Sequence, residues 1–402
     1  MRKISWIMLL GLCLVLAVSA CKKRKNPTEP TILKQPGYFQ ISQSFWPSLD
    51  NPPLGNQFSV PSRTVVVAIP GEVPIDSLGQ IPFTFRKKYP VLYFLTDFGQ
   101  SALSFAQTYR VRDIADELTA KGEIQPMIIV IVDGNNPMGG GFYINSIGGN
   151  YEKFVGEDLR LQIDTLFLTR IVNDSAHKRG VSGVGMGGYG AFRVAMDYPQ
   201  FYRSVSAISA PLSIDAGPNG DWFTDYLWTT AVQEGLSFSH PSDSNIVPTQ
   251  EPPLKTKPAT NWLFAMALGF SPHDPGDNDS SSYFRISNYP VGGPYRGVDL
   301  PFDSTINLRP SIWAKWLSND IKTLLATLKS GSLLNTQIYF EVGVDDSYEL
   351  LISNRNFNSF MATQSYTYTY HEFSGYGNFP ADHFNFAFDR IVAILKFHSS
   401  NF

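Results

Sequence analysis

Small residues crowd the stretch SGVGMGG, Ser182 to Gly188, where a strand-like pattern meets a helical one. Glycines two residues either side of a central position are the steric signature of a strained strand-to-helix turn. Such a turn lifts its central side chain, ordinarily a serine, to where it can attack a carbonyl. Here Gly183 and Gly187 hold the flanks, and the centre is Gly185, which has no side chain. Glycine suits that centre structurally, because a residue with a Cβ stores about 1–3 kcal/mol of strain in such a backbone conformation. The nearby hydroxyl is Ser182, the alternative nucleophile. Centring the turn on it forfeits the second flanking glycine, and its other role is that of a small residue closing a buried strand. The turn is thus built to present a nucleophile and presents none.

The elements that must position this turn follow from hydrophobic periodicity. Strand patterns run from Arg63 to Pro70, Tyr89 to Asp97, Pro126 to Gly134, Lys178 to Gly183, Ser204 to Ala210 and Thr336 to Gly343. Several are short apolar runs without alternation, as expected of strands covered on both faces. Helical patterns lie between them: Ser101 to a closing Gly122, Phe154 to Leu168 with Leu159, Ile163 and Leu166 on one face, Met186 to Pro199, and Pro310 to Gly331. Alternation of this kind predicts an α/β fold, a mostly parallel central sheet with helices on both faces. Residues of about 212–310 break the rhythm. They are rich in Pro, Gly, Asn and Ser, with one clear helical piece, NWLFAMALGF. A connection that long reads as a cap beside the C-terminal ends of the strands, where α/β sheets place their ligands.

From about Pro61 to His398 the chain resembles the secreted esterase family of α/β-hydrolases, which includes esterase D, feruloyl esterases and the mycolyltransferase antigens. The segments that carry the resemblance are PSRTVVVAIP, KKYPVLYFLTDFG, MIIVIVDGNN, GMGGYGAFRVAMDYPQFYRSVSAISA and YFEVGVDD. It implies an α/β-hydrolase fold with a nucleophilic serine where Gly185 stands. It also implies an acid at Asp346, with Asp345 as the neighbouring alternative, and a base at His383. His371 is the weaker base, since YTYTYHEF reads as a strand. Family members carry a His-Gly pair after the strand PVLYFL, where a loop amide helps to hold the developing oxyanion. Thr96 and Asp97 occupy those positions here, so a carboxylate stands near the hole, whose remaining donors are the amides of Met186 and Phe98.

The bulk composition sets the context. The chain has 402 residues and a net charge of −3, which points to no nucleic-acid partner, and no motif implies a cofactor. Residues 1–20 have the basic start, apolar run and small residues of a secretory signal, and VSAC resembles a lipobox that places a lipid on Cys21. Residues 21–37 form the anchor and a proline-spaced tether, and 38–402 the catalytic-type domain. The basic cluster Lys22 to Lys25 adds about 1 kcal/mol per residue toward an anionic membrane surface. The acidic turn around His273, Asp274, Asp277 and Asp279 lacks EF-hand spacing, and no metal is expected. GGGFYINSIGGNY and YFRISNYPVGGPYRG set aromatics among glycines, where they could stack on a saccharide or acyl group. The expectation is a lipoprotein of the bacterial cell envelope, disarmed as an esterase, that binds an ester, acyl or glycan-linked ligand. The alternatives are a working carboxylic-ester hydrolase acting through His383 and Asp346, and a structural envelope lipoprotein.

Overall fold

The computed structural model describes residues 38–43, 63–74, 85, 87–136, 138–167, 178–236, 246–247, 257–274, 276–279, 281–286, 297–303, 305–376 and 379–402. The signal segment, Cys21 and the tether lie outside the described residues. Eight strands form one sheet: β1 (Tyr38–Gln43), β2 (Arg63–Ala68), β3 (Val91–Leu95), β4 (Ile128–Val132), β5 (Arg179–Gly183), β6 (Ser204–Ile208), β7 (Gln337–Gly343) and β8 (Tyr368–Phe373). Their order is β1-β2-β4-β3-β5-β6-β7-β8. Pairing is antiparallel from β1 through β2 to β4 and parallel from β4 onward. Every residue of β3, β4, β5 and β6 is buried, which explains their apolar or small-residue character, broken only by Arg179 of β5, which pairs with Asp164. The expected mostly parallel sheet is present. β1 was not foreseen, because YFQISQ carries polar residues at half its positions, as an antiparallel edge strand does.

Helices cover both faces. On one, Phe105 of α1 (Ala102–Tyr109), Ile114 and Leu118 of α2 (Val111–Ala120), and Ile391 and Leu395 of the C-terminal helix Ala387–Ser400 form one core. On the other, the segment leading into α3 (Arg160–Phe167), α4 (Met186–Asp197), and the helices Pro258–Phe270 and Leu350–Met361 share a larger core. The pattern expected to give one helix from Ser101 to Gly122 gives two, broken where Arg110 adopts φ 49°. The pattern beginning at Pro310 likewise splits into Pro310–Leu317 and Ile321–Ala326, because the Asp320 side chain accepts the Thr323 amide and starts a new helix. Leu159 and Ile163 are buried as expected, but Leu166 is 52% exposed. A π-helical turn, Phe154–Leu159, precedes α3.

The described part of the 212–310 insert belongs to the larger core. Trp222, Phe223, Leu227, Trp262 and Leu263 are buried in it. It brings its own small sheet, Ile246–Val247, Tyr283–Ile286 and Gly297–Asp299.

Candidate active site

The turn between β5 and α4 has the expected shape. Gly185 sits at φ 52° and ψ −115°, a backbone that side chains resist. Its amide donates to the Ile208 carbonyl at 2.9 Å, and the Val184 amide donates to that of Leu95 at 3.3 Å, so the strands on either side hold the turn. The flanking glycines are needed for close approach. A Cβ on Gly183 would lie 2.3 Å from the Gly187 carbonyl, and one on Gly187 would lie 2.1 Å from the Leu95 oxygen.

The space above Gly185 is filled by Asp97, from the loop after β3. A Cβ on Gly185 would fall 2.1 Å from Asp97 Oδ1 and 2.8 Å from His383 Nε2. The Asp97 carboxylate therefore sits where a serine side chain would stand. Its Oδ1 accepts the Met186 amide at 2.9 Å, and its Oδ2 accepts from His383 Nε2 at 2.9 Å. On the other side of the ring, His383 Nδ1 donates to Asp346 Oδ2 at 3.1 Å. Burial alone would push the imidazole toward its neutral form. Asp346 and Asp97, one on each nitrogen, override it and raise the His383 pKa to about 10. At neutral pH the ring is an imidazolium that donates from both nitrogens.

Several elements fix this arrangement. The Asp382 carboxylate accepts the amides of Ser347 and His383, at 2.7 and 2.6 Å, which ties the acid loop to the base loop. Arg390, fully buried on the C-terminal helix, donates to the His383 carbonyl at 2.8 Å and to Glu341 Oε1 at 2.7 Å. The insert contributes too. The Trp222 indole N–H donates to the Tyr348 carbonyl at 2.6 Å, and the Tyr226 hydroxyl to that of Ser347 at 2.7 Å. Trp262 stacks on Tyr348 with ring centres 4.6 Å apart, and the two rings lie 6.0 and 4.8 Å from that of His383. The insert thus roofs the site. Burial raises the Tyr348 pKa, helped by the charge of Asp97, and its phenol keeps its proton.

The structure brings together Gly185, Met186, Asp346 and His383. Asp346 is buried while Asp345 is exposed, which separates those two candidates. Ser182 is apart from them. Fully buried on β5, its hydroxyl accepts from Ser206 at 2.7 Å, and Ser206 meets His398 Nε2 at 2.8 Å. Ser182 thus belongs to a buried Ser206–His398 network and not to His383, both of whose nitrogens are engaged by carboxylates. His371 lies on β8, where it pairs with the buried Glu341. Phe98 follows Asp97 and packs beside Met186 around Gly140. In the insert, Arg309 faces Asp279 at 2.6 Å and Asp277 at 3.9 Å, while His273 pairs with the buried Asp299 at 2.9 Å. A guanidinium occupies the middle of that acidic cluster. Phe142, Tyr143 and Tyr151 of the first glycine-aromatic loop are buried in the core, which removes them from stacking on a ligand. Most of the second loop, residues 287–296, lies outside the described residues. Sequence reasoning placed a carboxylate near the hole at Asp97 but missed its seat on Gly185. It also missed Arg390, Trp262 and Tyr348, for which no local motif exists.

Comparison with known proteins places this geometry. The chain matches the model of the Esterase family over residues 81–395. Esterase Rv1288 of Mycobacterium tuberculosis (strain ATCC 25618 / H37Rv) is 33% identical over 138 residues, covering 33% of this chain and 27% of that protein. An endo-1,4-beta-xylanase/feruloyl esterase of Xylanibacter ruminicola is 29% identical over 121 residues, covering 29% of this chain and 16% of that protein. The match therefore spans well under half the length of either relative. Among solved structures, a ferulic acid esterase superposes with a TM-score of 0.53 at 18% identity, over 91% of this chain and 99% of that one. An S-formylglutathione hydrolase from Agrobacterium tumefaciens gives 0.51 at 15%, over 91% and 96%. At these identities the superpositions speak for the fold. The family match runs from ahead of β3 to within the C-terminal helix and takes in every residue of this site, and the chain belongs to the Esterase family, on an α/β-hydrolase fold.

Proposed function

We propose that the protein is a lipid-anchored member of the Esterase family at the bacterial cell envelope, in which serine ester hydrolysis has been lost and the pocket binds an ester, acyl or glycan-linked ligand. One observation carries the reading: Asp97 sits on Gly185 in place of the nucleophile. Serine hydrolases need a hydroxyl to attack, a neutral imidazole to take its proton and free amides to hold the oxyanion. Gly185 has no hydroxyl, His383 already carries its proton, and the Met186 amide is engaged by Asp97 Oδ1. Removing the nucleophile alone costs about 10⁶-fold in turnover in a hydrolase of this type. The anchor rests on Cys21 and the signal pattern before it.

A second reading, a working carboxylic-ester hydrolase using His383 and Asp346, is favoured by the esterase names of the relatives. Hydrolysis of p-nitrophenyl acetate and methyl ferulate by the full chain, beside its His383→Ala variant, separates the two. Equal rates are expected. A rate that His383→Ala abolishes overturns the disarmed reading in favour of the second. Calorimetric titration with the same methyl ferulate and with acetylated xylo-oligosaccharide then separates a ligand-binding pocket from an idle one.

A further inference from the structure

The glycine at the elbow and the aspartate after β3 are sterically one unit. A serine at 185 and the seated Asp97 exclude each other, since the serine Cβ would lie 2.1 Å from Asp97 Oδ1. What the pair creates is a carboxylate with one oxygen on the oxyanion-hole amide and the other against the imidazole. We propose that Asp97 is a carboxylate nucleophile that opens an epoxide through a covalent alkyl ester on its own side chain.

The placement of the hole decides the substrate class. In acyl chemistry the hole must hold the substrate's oxygen, but here the Met186 amide already holds Asp97 Oδ1 at 2.9 Å. A hole aimed at the nucleophile's own oxygen serves a reaction whose tetrahedral centre forms on Asp97 Cγ. That is the breakdown of an alkyl ester of Asp97, so the first step is attack at an sp³ carbon. The proton on His383 Nε2 selects among such carbons, because it suits a leaving oxygen that must be protonated as its bond breaks. An epoxide supplies that oxygen.

The cycle closes without a co-reactant other than water. Asp97 Oδ2 forms a bond to an epoxide carbon. The C–O bond of the ring breaks, and the electron pair goes to the ring oxygen, which takes the Nε2 proton. The carboxylate charge is now gone, and His383 is neutral and held by Asp346 alone. It removes a proton from water as the water oxygen bonds to Asp97 Cγ, and the resulting oxyanion on Oδ1 receives the Met186 N–H. Collapse breaks the Cγ–Oδ2 bond and releases the diol, whose alkoxide takes the remaining acid proton. Asp97 carboxylate and the imidazolium are restored, and the water oxygen stays on Asp97. Trp262 and Tyr348, stacked beside the ring, give the site an apolar roof.

The proposal takes from the preceding section only that serine chemistry is absent. The test uses the full chain with styrene oxide and 1,2-epoxyhexane in ¹⁸O-labelled water. With protein in excess, the expected result is diol above the buffer rate with label in the Asp97 peptide rather than in the diol. Asp97→Asn, which keeps the shape of the side chain, brings diol formation down to the buffer rate. His383→Gln removes both the acid of ring opening and the base of breakdown, so diol formation falls by about 10²–10⁴-fold, and the alkyl adduct is read on the Asp97 peptide of the parent by mass spectrometry after an acid quench. Absence of diol and adduct with both epoxides, or diol carrying the label itself, overturns the proposal. An ester-hydrolysis rate dependent on His383, with no Asp97 adduct, overturns the preceding reading as well, so the two failures are distinguishable.

Discussion

At the scale of single residues, His383 is an acid at rest, and that follows from two carboxylates on one ring. Its pKa of about 10 should appear as an imidazole that titrates there in ¹⁵N–¹H correlation spectra. Asp97→Asn should lower it by more than one unit, since one of the two charges that oppose desolvation is gone. The folded pKa lies above the ordinary histidine value of about 6.5. The stabilisation from this ring is therefore complete below about pH 6.5 and is lost as pH rises through 10. Thermal melts across that window should show the decline, and it should be shallower in Asp97→Asn. Gly185 was legible from the glycine spacing of the elbow, and Asp346 and His383 from the family resemblance. The seat of Asp97 was not, because the direction of a loop carboxylate depends on the amide and imidazole that meet it from 89 and 286 residues away.

At the scale of elements, the C-terminal helix does more than cover the sheet. Arg390 bridges β7 to the His383 loop through Glu341 and two carbonyls, those of His383 and Asp382. Arg390→Met should cost about 3–5 kcal/mol, because it leaves the buried Glu341 charge only the Tyr339 hydroxyl and the half-exposed His371 at 3.9 Å. Adding Glu341→Leu should return much of it, as urea unfolding would report. Sequence periodicity found these helices and strands but not their interruptions. The break at Arg110 needs a left-handed residue that is not glycine, and the split at Asp320 depends on a side-chain cap inside an apolar pattern. β1 was hidden because an antiparallel edge strand alternates weakly, and its pairing with β2 has no signal in either segment alone.

At the scale of the whole molecule, a mostly parallel sheet with helices on both faces follows from the alternation of strand and helix patterns, while the strand order does not. The insert was legible as a break in the strand-helix rhythm but not as part of the larger core, because Trp222 and Trp262 acquire their partners only through the tertiary fold. The proposed membrane attachment belongs to this scale too. Cys21→Ser should move the protein from the membrane pellet to the soluble fraction on fractionation of the producing bacterium, and retention in the pellet would remove the anchor from the account. The central claim, that Asp97 has taken the nucleophile's place, is tested most directly by the p-nitrophenyl acetate rates of the parent, Gly185→Ser, Asp97→Gly and the double variant. Both single variants should stay at the rate of the parent's His383→Ala control: the first because its new side chain collides with Asp97, the second because it lacks a hydroxyl. The double variant should gain a His383-dependent rate on the order of 10²-fold or more. A parent that already hydrolyses the ester through His383, or a Gly185→Ser variant active alone, would contradict it.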